Sequence, residues 1–131
     1  LSKAFDCVNH DYLLNKLKFY GVENSPFKFF ESYLQNRSQK VLIDGIWSQE
    51  LKVNFGVPQG SVLGPLLFLI SINDLPDFIK ARTILYADDT TLVNSTADIN
   101  ALEELTENAL QGATTWFNAN GFLLNQDKTQ K

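Results

Sequence analysis

The sequence predicts an α+β fold in which an antiparallel sheet has helices packed on one face. Two observations support this class. Short runs rich in β-branched and aromatic residues are joined by turn signals, at residues 39–55 and again at 84–93. Longer segments with apolar residues at helical spacing lie before, between and after these runs. The predicted order is helices, hairpin, buried helix, hairpin, long helix and a final short strand.

The first part of the chain carries start and stop signals for two helices. Asn9 or Asp11 can cap a first helix, which Gly21 closes. Ser25 followed by Pro26 predicts a second start, with a hydroxyl cap and proline at the first helical position. Apolar side chains then repeat at helical spacing and predict a stripe that faces the core. The stripe consists of Phe27, Phe30, Tyr33 and Leu34.

The middle and end of the chain are predicted from similar signals. Asp44-Gly45 between two strand-like runs is a strong hairpin signal. Residues 66–75 read as a nearly continuous apolar helix, buried on all sides, that Pro76 ends. Asp98 opens the longest helix, and residues 122–124 form a short strand. The buried stripe of the long helix is predicted to contain Leu102, Leu105, Ala109, Leu110 and Ala113.

Composition and charge limit the classes of function. The 131 residues are 44% hydrophobic and 20% charged, which is typical of one globular domain. No apolar run of about 18 residues is present, so we expect no membrane partner. The single cysteine, Cys7, excludes an internal disulfide and fits an intracellular, reducing compartment. A net charge of −4 argues against a self-sufficient nucleic-acid binder, so any basic binding surface would lie outside these residues. The chain reads as a piece of a longer one.

Two stretches carry candidate chemistry. Asp88 and Asp89 lie side by side at the predicted tip of the second hairpin, where like charges need solvation or a shared cation. Taken alone, an Asp-Asp turn is more often a plain solvated turn. The segment Gly56–Pro65 places glycine at every fourth position, with two prolines, which indicates close approach of its backbone to other groups.

Four segments in this order resemble the palm of reverse transcriptases, most closely those of non-LTR (LINE-like) retrotransposons. They are Leu1–Asp6, Gly56–Pro65, Tyr86–Asp89 and the ending Trp116–Lys128. The Gly/Pro/Gln segment is the most specific of the four, and the resemblance covers essentially the whole chain. It implies a polymerase palm with a ferredoxin-like split βαβ arrangement, incomplete in this chain. Residues 1–131 would form one partial domain, the palm with part of the fingers, without the thumb and the N-terminal fingers.

The resemblance also implies a reaction and its partners. The parent protein would be an RNA-directed DNA polymerase that extends a 3′-hydroxyl primer with dNTPs on an RNA template during retrotransposition, by two-metal phosphoryl transfer. Its partners would be the RNA template, the DNA primer, dNTPs and the remaining fingers and thumb of the parent polyprotein. The cofactor would be two Mg²⁺ ions, with Mn²⁺ as an alternative. A nuclear location follows from the same family.

Carried over residue by residue, the resemblance makes Asp88 and Asp89 catalytic metal ligands, with Asp88 the stronger. Two ions roughly 3.5–4 Å apart stabilise the attacking and leaving oxygens in such a site. The family's third carboxylate lies directly before the position of Leu1, so we expect the isolated chain not to polymerise. Asp6 is expected to be a structural turn carboxylate rather than a metal ligand.

Four residues are implied to bind the incoming nucleotide, namely Phe5, Gln59, Gly60 and Tyr86. Phe5 matches the aromatic gate that leaves no room for a 2′-hydroxyl, and core packing is its alternative role. Gln59 and Gly60 match the part of the family's second motif that contacts the incoming nucleotide. Alternatively, the glycines are needed only for the geometry of a strand-to-helix turn. Ser61 can cap the helix that follows.

Two further residues, Lys128 and His10, have side chains that can transfer protons. Lys128 matches a lysine implied to protonate the pyrophosphate leaving group, and a solvated surface lysine is the alternative. His10 lies beside a helix start and is given no catalytic role.

Three other hypotheses compete with this reading. Another polymerase palm, from an intron-encoded reverse transcriptase or a viral RNA polymerase, shares parts of the pattern, although Phe5 and Ala87 favour DNA synthesis. A decayed or co-opted remnant would be a non-catalytic module. An unrelated calcium- or magnesium-binding domain does not explain the segment Gly56–Pro65.

Overall fold

Helices and short antiparallel ladders alternate along residues 1–130, the part of the chain that the computed structural model describes. The helices are α1 (His10–Phe19), α2 (Asn24–Leu34), α3 (Leu63–Ile72), α4 (Leu75–Phe78) and α5 (Ile99–Ala119). The strands are β1 (Ser38–Gln39), β2 (Leu42–Ile43), β3 (Ile46–Trp47), β4 (Leu51–Lys52), β5 (Arg82–Tyr86) and β6 (Asp89–Val93). Single 3₁₀ turns cover Ala4–Asp6 and Gln126–Lys128. The predicted α+β class is confirmed.

The strands form three ladders in the described residues rather than one continuous sheet. β1 pairs with β4, β2 with β3, and β5 with β6, all antiparallel. The β2–β3 turn consists of Asp44 and Gly45, whose φ angles are 50° and 81°. Positive φ at both central positions defines a type I′ turn, which matches the twist of the flanking strands. The hairpin predicted from Asp-Gly is therefore confirmed.

The helix boundaries confirm some capping signals and correct others. Asn9 caps α1, because its side chain accepts hydrogen bonds from the amides of Asp11 and Tyr12. The predicted cap at Ser25 is wrong, because α2 already begins at Asn24. Pro26 is accommodated within the first turn, where amide hydrogens have no partner inside the helix.

Pro76 does not end the apolar helix as predicted. That helix, α3, ends at Ile72, and Pro76 is the second residue of α4. Proline fits there because its missing N–H would have had no intrahelical acceptor. Burial of α3 on all sides is also wrong, since Leu66 and Leu69 are 48% and 47% exposed.

The core is built where the helices meet. α1 packs against α2 and α3, and α5 packs against α4 and β6. In α5 the predicted Ala109 and Ala113 are buried, Leu105 is 40% exposed, and the stripe continues into Trp116 and Phe117. No helix among residues 1–130 has the length and apolarity needed to cross a bilayer.

The predicted final strand at residues 122–124 is reduced to one antiparallel bridge, between Leu123 and Ser2. Ser2 donates its amide hydrogen to the Leu123 carbonyl at 2.8 Å. Lys3 then turns into the left-handed region, with φ 47° and ψ 42°, so the ladder cannot continue. Phe122 is nevertheless 2% exposed and stacks on Trp116, which fixes the end of the chain against the core.

Lys16 links three helices at the edge of this core. Its Nζ donates to the Asp74 carboxylate at 2.6 Å and to the Ser71 carbonyl at 2.7 Å, and lies 4.6 Å from the Trp116 ring centroid. Its side chain is only 17% exposed. Because solvent screens this charge incompletely, these bonds are stronger than those of a surface ion pair.

We predict that Lys16→Met lowers the free energy of unfolding by about 1–2 kcal/mol, because the stem still packs but the charge-assisted bonds are lost. Denaturant titration measures the change. The matched control is Lys28→Met, an exposed position on α2, which should stay within about 0.5 kcal/mol of the unmodified chain. Equal effects of the two changes would contradict the proposed link.

Candidate active site

The acidic pair lies at the tight end of the β5–β6 hairpin. Tyr86 and Asp89 form the last register pair, so Ala87 and Asp88 make a two-residue loop. Ala87 has φ 49°, and a positive φ at the first loop position is a property of the primed turns that close such hairpins. Asp88 therefore projects from the loop itself, and Asp89 from the first residue of β6.

Both carboxylates are free to bind a cation. Asp88 is half-buried and Asp89 exposed, and within residues 1–130 neither side chain accepts a hydrogen bond or forms an ion pair. Together with Lys128 they line a cleft of about 470 Å³ between the hairpin, α5 and the end of the chain. The structure thus brings the predicted acidic pair and the predicted lysine to the same cleft.

A second cavity, of about 390 Å³, adjoins the first at Asp88. Its lining includes Phe5, Gln59 and Gly60, together with Asp88 itself. Segments that are more than fifty residues apart in sequence therefore meet in one pocket. Tyr86 is the exception among the predicted site residues, because it is 81% exposed and lines neither cavity.

Backbone hydrogen bonds hold the two halves of this pocket together. Val57 donates its amide hydrogen to the Phe5 carbonyl at 2.8 Å, and Gly56 donates to the Val8 carbonyl at 2.7 Å. A Cβ at Gly56 would lie 3.1 Å from the Asp6 Cα, so only glycine permits this approach without displacement. The Gln59 amide donates to the Asp6 carboxylate at 2.9 Å. Asp6 thus orients Gln59 through a contact between distant segments, whereas the sequence predicted a turn carboxylate.

His10 is the residue that sequence reasoning undervalued. It is 4% exposed, and its Nε2 lies 2.7 Å from the Gly56 carbonyl oxygen. That oxygen can only accept, so Nε2 carries the hydrogen and donates it. The contact spans forty-six residues, and no local pattern at a helix start could have revealed it.

Phe5 serves the core and the pocket at once. Its ring stacks on Phe68, with centroids 4.6 Å apart and an interplanar angle of 25°. It is half-buried, and the part left uncovered lines the cavity with Gln59 and Asp88. Packing fixes the position of the ring, which a steric gate requires.

The carboxylates of Asp88 and Asp89 supply part of the ligand set that a divalent cation needs. Carboxylate oxygens are the ligands that Mg²⁺ prefers, and Asp88 and Asp89 supply them where the two cavities adjoin. Residues 1–130 contain no cluster of three His, Cys, Asp or Glu side chains arranged for a metal. The Leu1 backbone nitrogen lies 3.5 Å from the Asp88 carbonyl oxygen. Leu1, the first residue of the segment Leu1–Asp6, therefore lies beside the acidic pair.

Comparison with known proteins identifies the family. The family model for "Reverse transcriptase (RNA-dependent DNA polymerase)" matches residues 1–131. The chain belongs to the reverse transcriptase family.

Relatives of this reverse transcriptase chain come from non-LTR elements. The chain is 35% identical, over 88% of its length, to a probable RNA-directed DNA polymerase from transposon BS of Drosophila melanogaster. It is 32% identical, over 88%, to the polymerase of the mobile element jockey from the same species. It is 25% identical, over 98%, to a Pol polyprotein of the type-1 element R2 from Popillia japonica. It spans 14%, 14% and 22% of these relatives.

The glycines of the segment Gly56–Pro65 differ in how much space a Cβ would have. A Cβ at Gly64 would lie 2.7 Å from the Pro58 carbonyl oxygen and 3.0 Å from the Ser61 Oγ. Ser61 joins the same turn, since its Oγ donates to the Pro58 carbonyl and accepts from the Gly64 amide. Gly64 and Gly56 confirm the expected close approach, whereas nothing lies within 4 Å of a Cβ at Gly60.

We predict opposite effects for two glycine-to-alanine changes. Gly64→Ala should lower the free energy of unfolding by about 1–3 kcal/mol, because the added methyl displaces the backbone of the Pro58 turn. Gly112→Ala, in α5 with open space around the added atom, should raise it by about 0.5–1 kcal/mol through helix propensity. Denaturant titration of both variants measures the signs, and a stabilising Gly64→Ala would contradict the packing described.

Proposed function

We propose that this chain is the palm segment of a polymerase that adds dNTPs to a 3′-hydroxyl primer on an RNA template during retrotransposition. The proposal rests on the position of Asp88, which is shared by two adjoining cavities. It lines both the pocket that contains Phe5 and Gln59 and the cleft that contains Asp89 and Lys128. A nucleotide in the pocket would have its phosphates next to the acidic pair, and family membership supports the same reaction.

Asp88 and Asp89 would hold two Mg²⁺ ions, with Mn²⁺ as a substitute. Bound there, the ions would neutralise charge on the phosphates and stabilise the attacking and leaving oxygens of an in-line displacement. The hairpin positions the two carboxylates, because its two-residue loop and paired strands hold them at a fixed separation. Asp88, which lines both cavities, is the stronger ligand in this proposal, and Asp89 supports it near the primer end.

The remaining site residues bind and select the nucleotide. Phe5 would occupy the space beneath the sugar and exclude a 2′-hydroxyl. Gln59, oriented by Asp6, would present donor and acceptor atoms to the nucleotide beside the bare backbone of Gly60. Lys128 would hold a proton for the leaving pyrophosphate across the cleft from Asp88. Tyr86 would contact the nucleotide or primer only from the outer face of the hairpin.

The partners proposed for the parent protein are the RNA template, the DNA primer, dNTPs and the polyprotein's own fingers and thumb, in the nucleus. The chain alone would not polymerise. Its net charge of −4 leaves the binding of nucleic acid to other regions of the parent protein.

We predict that Asp88→Asn in the parent polymerase lowers single-nucleotide incorporation by at least about a hundredfold, because the amide keeps the shape but loses the charge that holds the metal. Primer extension on an RNA template measures the rate. Asp44→Asn makes the same chemical change in the other two-residue hairpin loop and should leave the rate unchanged. Near-normal extension by Asp88→Asn would refute the metal role.

We also predict that Phe5→Ala reduces the preference for dNTPs over NTPs by about tenfold or more, since the smaller side chain leaves room for a 2′-hydroxyl. The ratio of kcat/KM for matched dNTP and NTP substrates is the readout. Phe29→Ala removes a ring that is 56% exposed on α2 and should not change the ratio. Unchanged selectivity in the Phe5 variant would assign that ring to the core alone, and an NTP preference of the unmodified enzyme would indicate an RNA polymerase instead.

A further inference from the structure

The pocket next to Asp88 is almost uncharged apart from two residues. Its lining consists of Lys3, Ala4, Phe5, Pro58, Gln59, Gly60, Pro65 and Asp88. Lys3 is therefore the only cation among the residues that line it. A nucleoside triphosphate carries several negative charges, and Asp88 alone would repel them. The metal ions proposed above would offset part of this charge, and among the described residues that line the pocket Lys3 is the one side chain that can add to it.

Lys3 has no other electrostatic partner in the described chain. Its side chain is exposed and forms no hydrogen bond, ion pair or cation–π contact within residues 1–130. By contrast, Lys16 is held by Asp74, and Lys18 and Lys40 lie over the rings of Phe27 and Trp47. The ammonium group of Lys3 is thus available to a ligand.

The backbone of Lys3 is held in an unfavourable conformation. Its φ of 47° and ψ of 42° place it in the left-handed region, which lysine adopts at an energetic cost. Hydrogen bonds on both sides maintain it, from Ser2 to the Leu123 carbonyl and from the Asp6 amide to the Lys3 carbonyl, each at 2.8 Å. Glycine would satisfy this geometry without strain, so stability alone does not explain a lysine here.

We propose that Lys3 binds the triphosphate of the incoming nucleotide and, after reaction, the pyrophosphate product. Phe5, two residues along the chain, would lie under the sugar, and Asp88 lines the same pocket. The flexible lysine stem then carries an ammonium group to the phosphates that lie between them. This inference rests on the proposed function, because it names a side chain that binds the phosphates beside the metal ions of that site.

The decisive variant is Lys3→Gly in the polymerase that contains this chain. It removes the charge and relieves the left-handed strain, so we expect an equal or higher Tm. We expect the KM for dNTP and the inhibition constant for inorganic pyrophosphate both to rise by about tenfold or more, the loss expected for one charge-assisted contact. The Kd for primer–template should not change. Lys3→Arg keeps the charge and should stay within about threefold of the unmodified enzyme.

The matched control is Asn36→Gly. Asn36 also has a positive φ, 57°, and lines neither cavity at Asp88. The change relieves the same kind of strain, so we expect an equal or higher Tm with unchanged constants for dNTP and pyrophosphate. A Lys3→Gly enzyme whose dNTP and pyrophosphate constants remain within about twofold of the unmodified values would overturn the inference.

A second readout separates this inference from the proposed reaction. Inorganic tripolyphosphate should protect Lys3 from acetylation by an activated ester, as measured by mass spectrometry of the intact polymerase, and should not protect Lys28. An unmodified enzyme that incorporates no dNTP would refute the proposed function, and Lys3 protection would still support the phosphate site. Incorporation without protection, together with unchanged Lys3→Gly constants, would refute the role of Lys3 alone.

Discussion

The site depends on one pair of backbone hydrogen bonds, from Gly56 to Val8 and from Val57 to Phe5. They connect the Gly/Pro/Gln segment to the first turn of the chain, so the pocket next to Asp88 is lined by two distant stretches of sequence. Two such bonds contribute only about 1 kcal/mol each. Their geometry is possible because Gly56 presents no side chain to the Asp6 backbone, and it is completed by the buried His10.

Core packing fixes the other wall of the pocket. Along β5 and β6, side chains alternate between exposed and half-buried, and the inward row, which includes Leu85 and Leu92, packs against the core. α4 and α5 contact β5 and β6 respectively. The charged end of the hairpin is left at the surface, where Asp88 is half-buried, Asp89 is exposed and both line one cleft.

Features governed by local chemistry could be predicted from the sequence, whereas features that depend on distant contacts could not. The Asp44-Gly45 turn follows from the tolerance of these two residues for positive φ, and the Asn9 cap from a side chain that accepts neighbouring amide hydrogens. Both predictions were correct. Pro76 failed as a stop signal because α3 already ends at Ile72, and a proline in the first turn of α4 removes no intrahelical hydrogen bond. The final strand became a single bridge because Lys3 turns away from it.

The same distinction applies to the site. The resemblance of four segments predicted which residues would meet, and Phe5, Gln59, Gly60 and Asp88 do line one pocket. It did not reveal the bond from His10 to Gly56, nor the position of Lys3 in the pocket, because each depends on how separate segments pack. Tyr86 is exposed because side chains along β5 alternate between exposed and half-buried positions, and Tyr86 falls on an exposed one. The prediction placed Tyr86 in the site because it precedes the two carboxylates in sequence.

We propose that the pocket lined by Phe5 and Gln59 and the acidic pair act as one site, joined at Asp88. The most direct test is the equilibrium Kd of a dNTP for the parent polymerase on a primer terminated with a dideoxynucleotide, measured with Mg²⁺ and with a chelator. If the phosphates lie against metal held by Asp88 and Asp89, Mg²⁺ should tighten dNTP binding by at least about tenfold. An equal Kd under both conditions would show that the pocket and the carboxylates are not coupled, and would contradict the account.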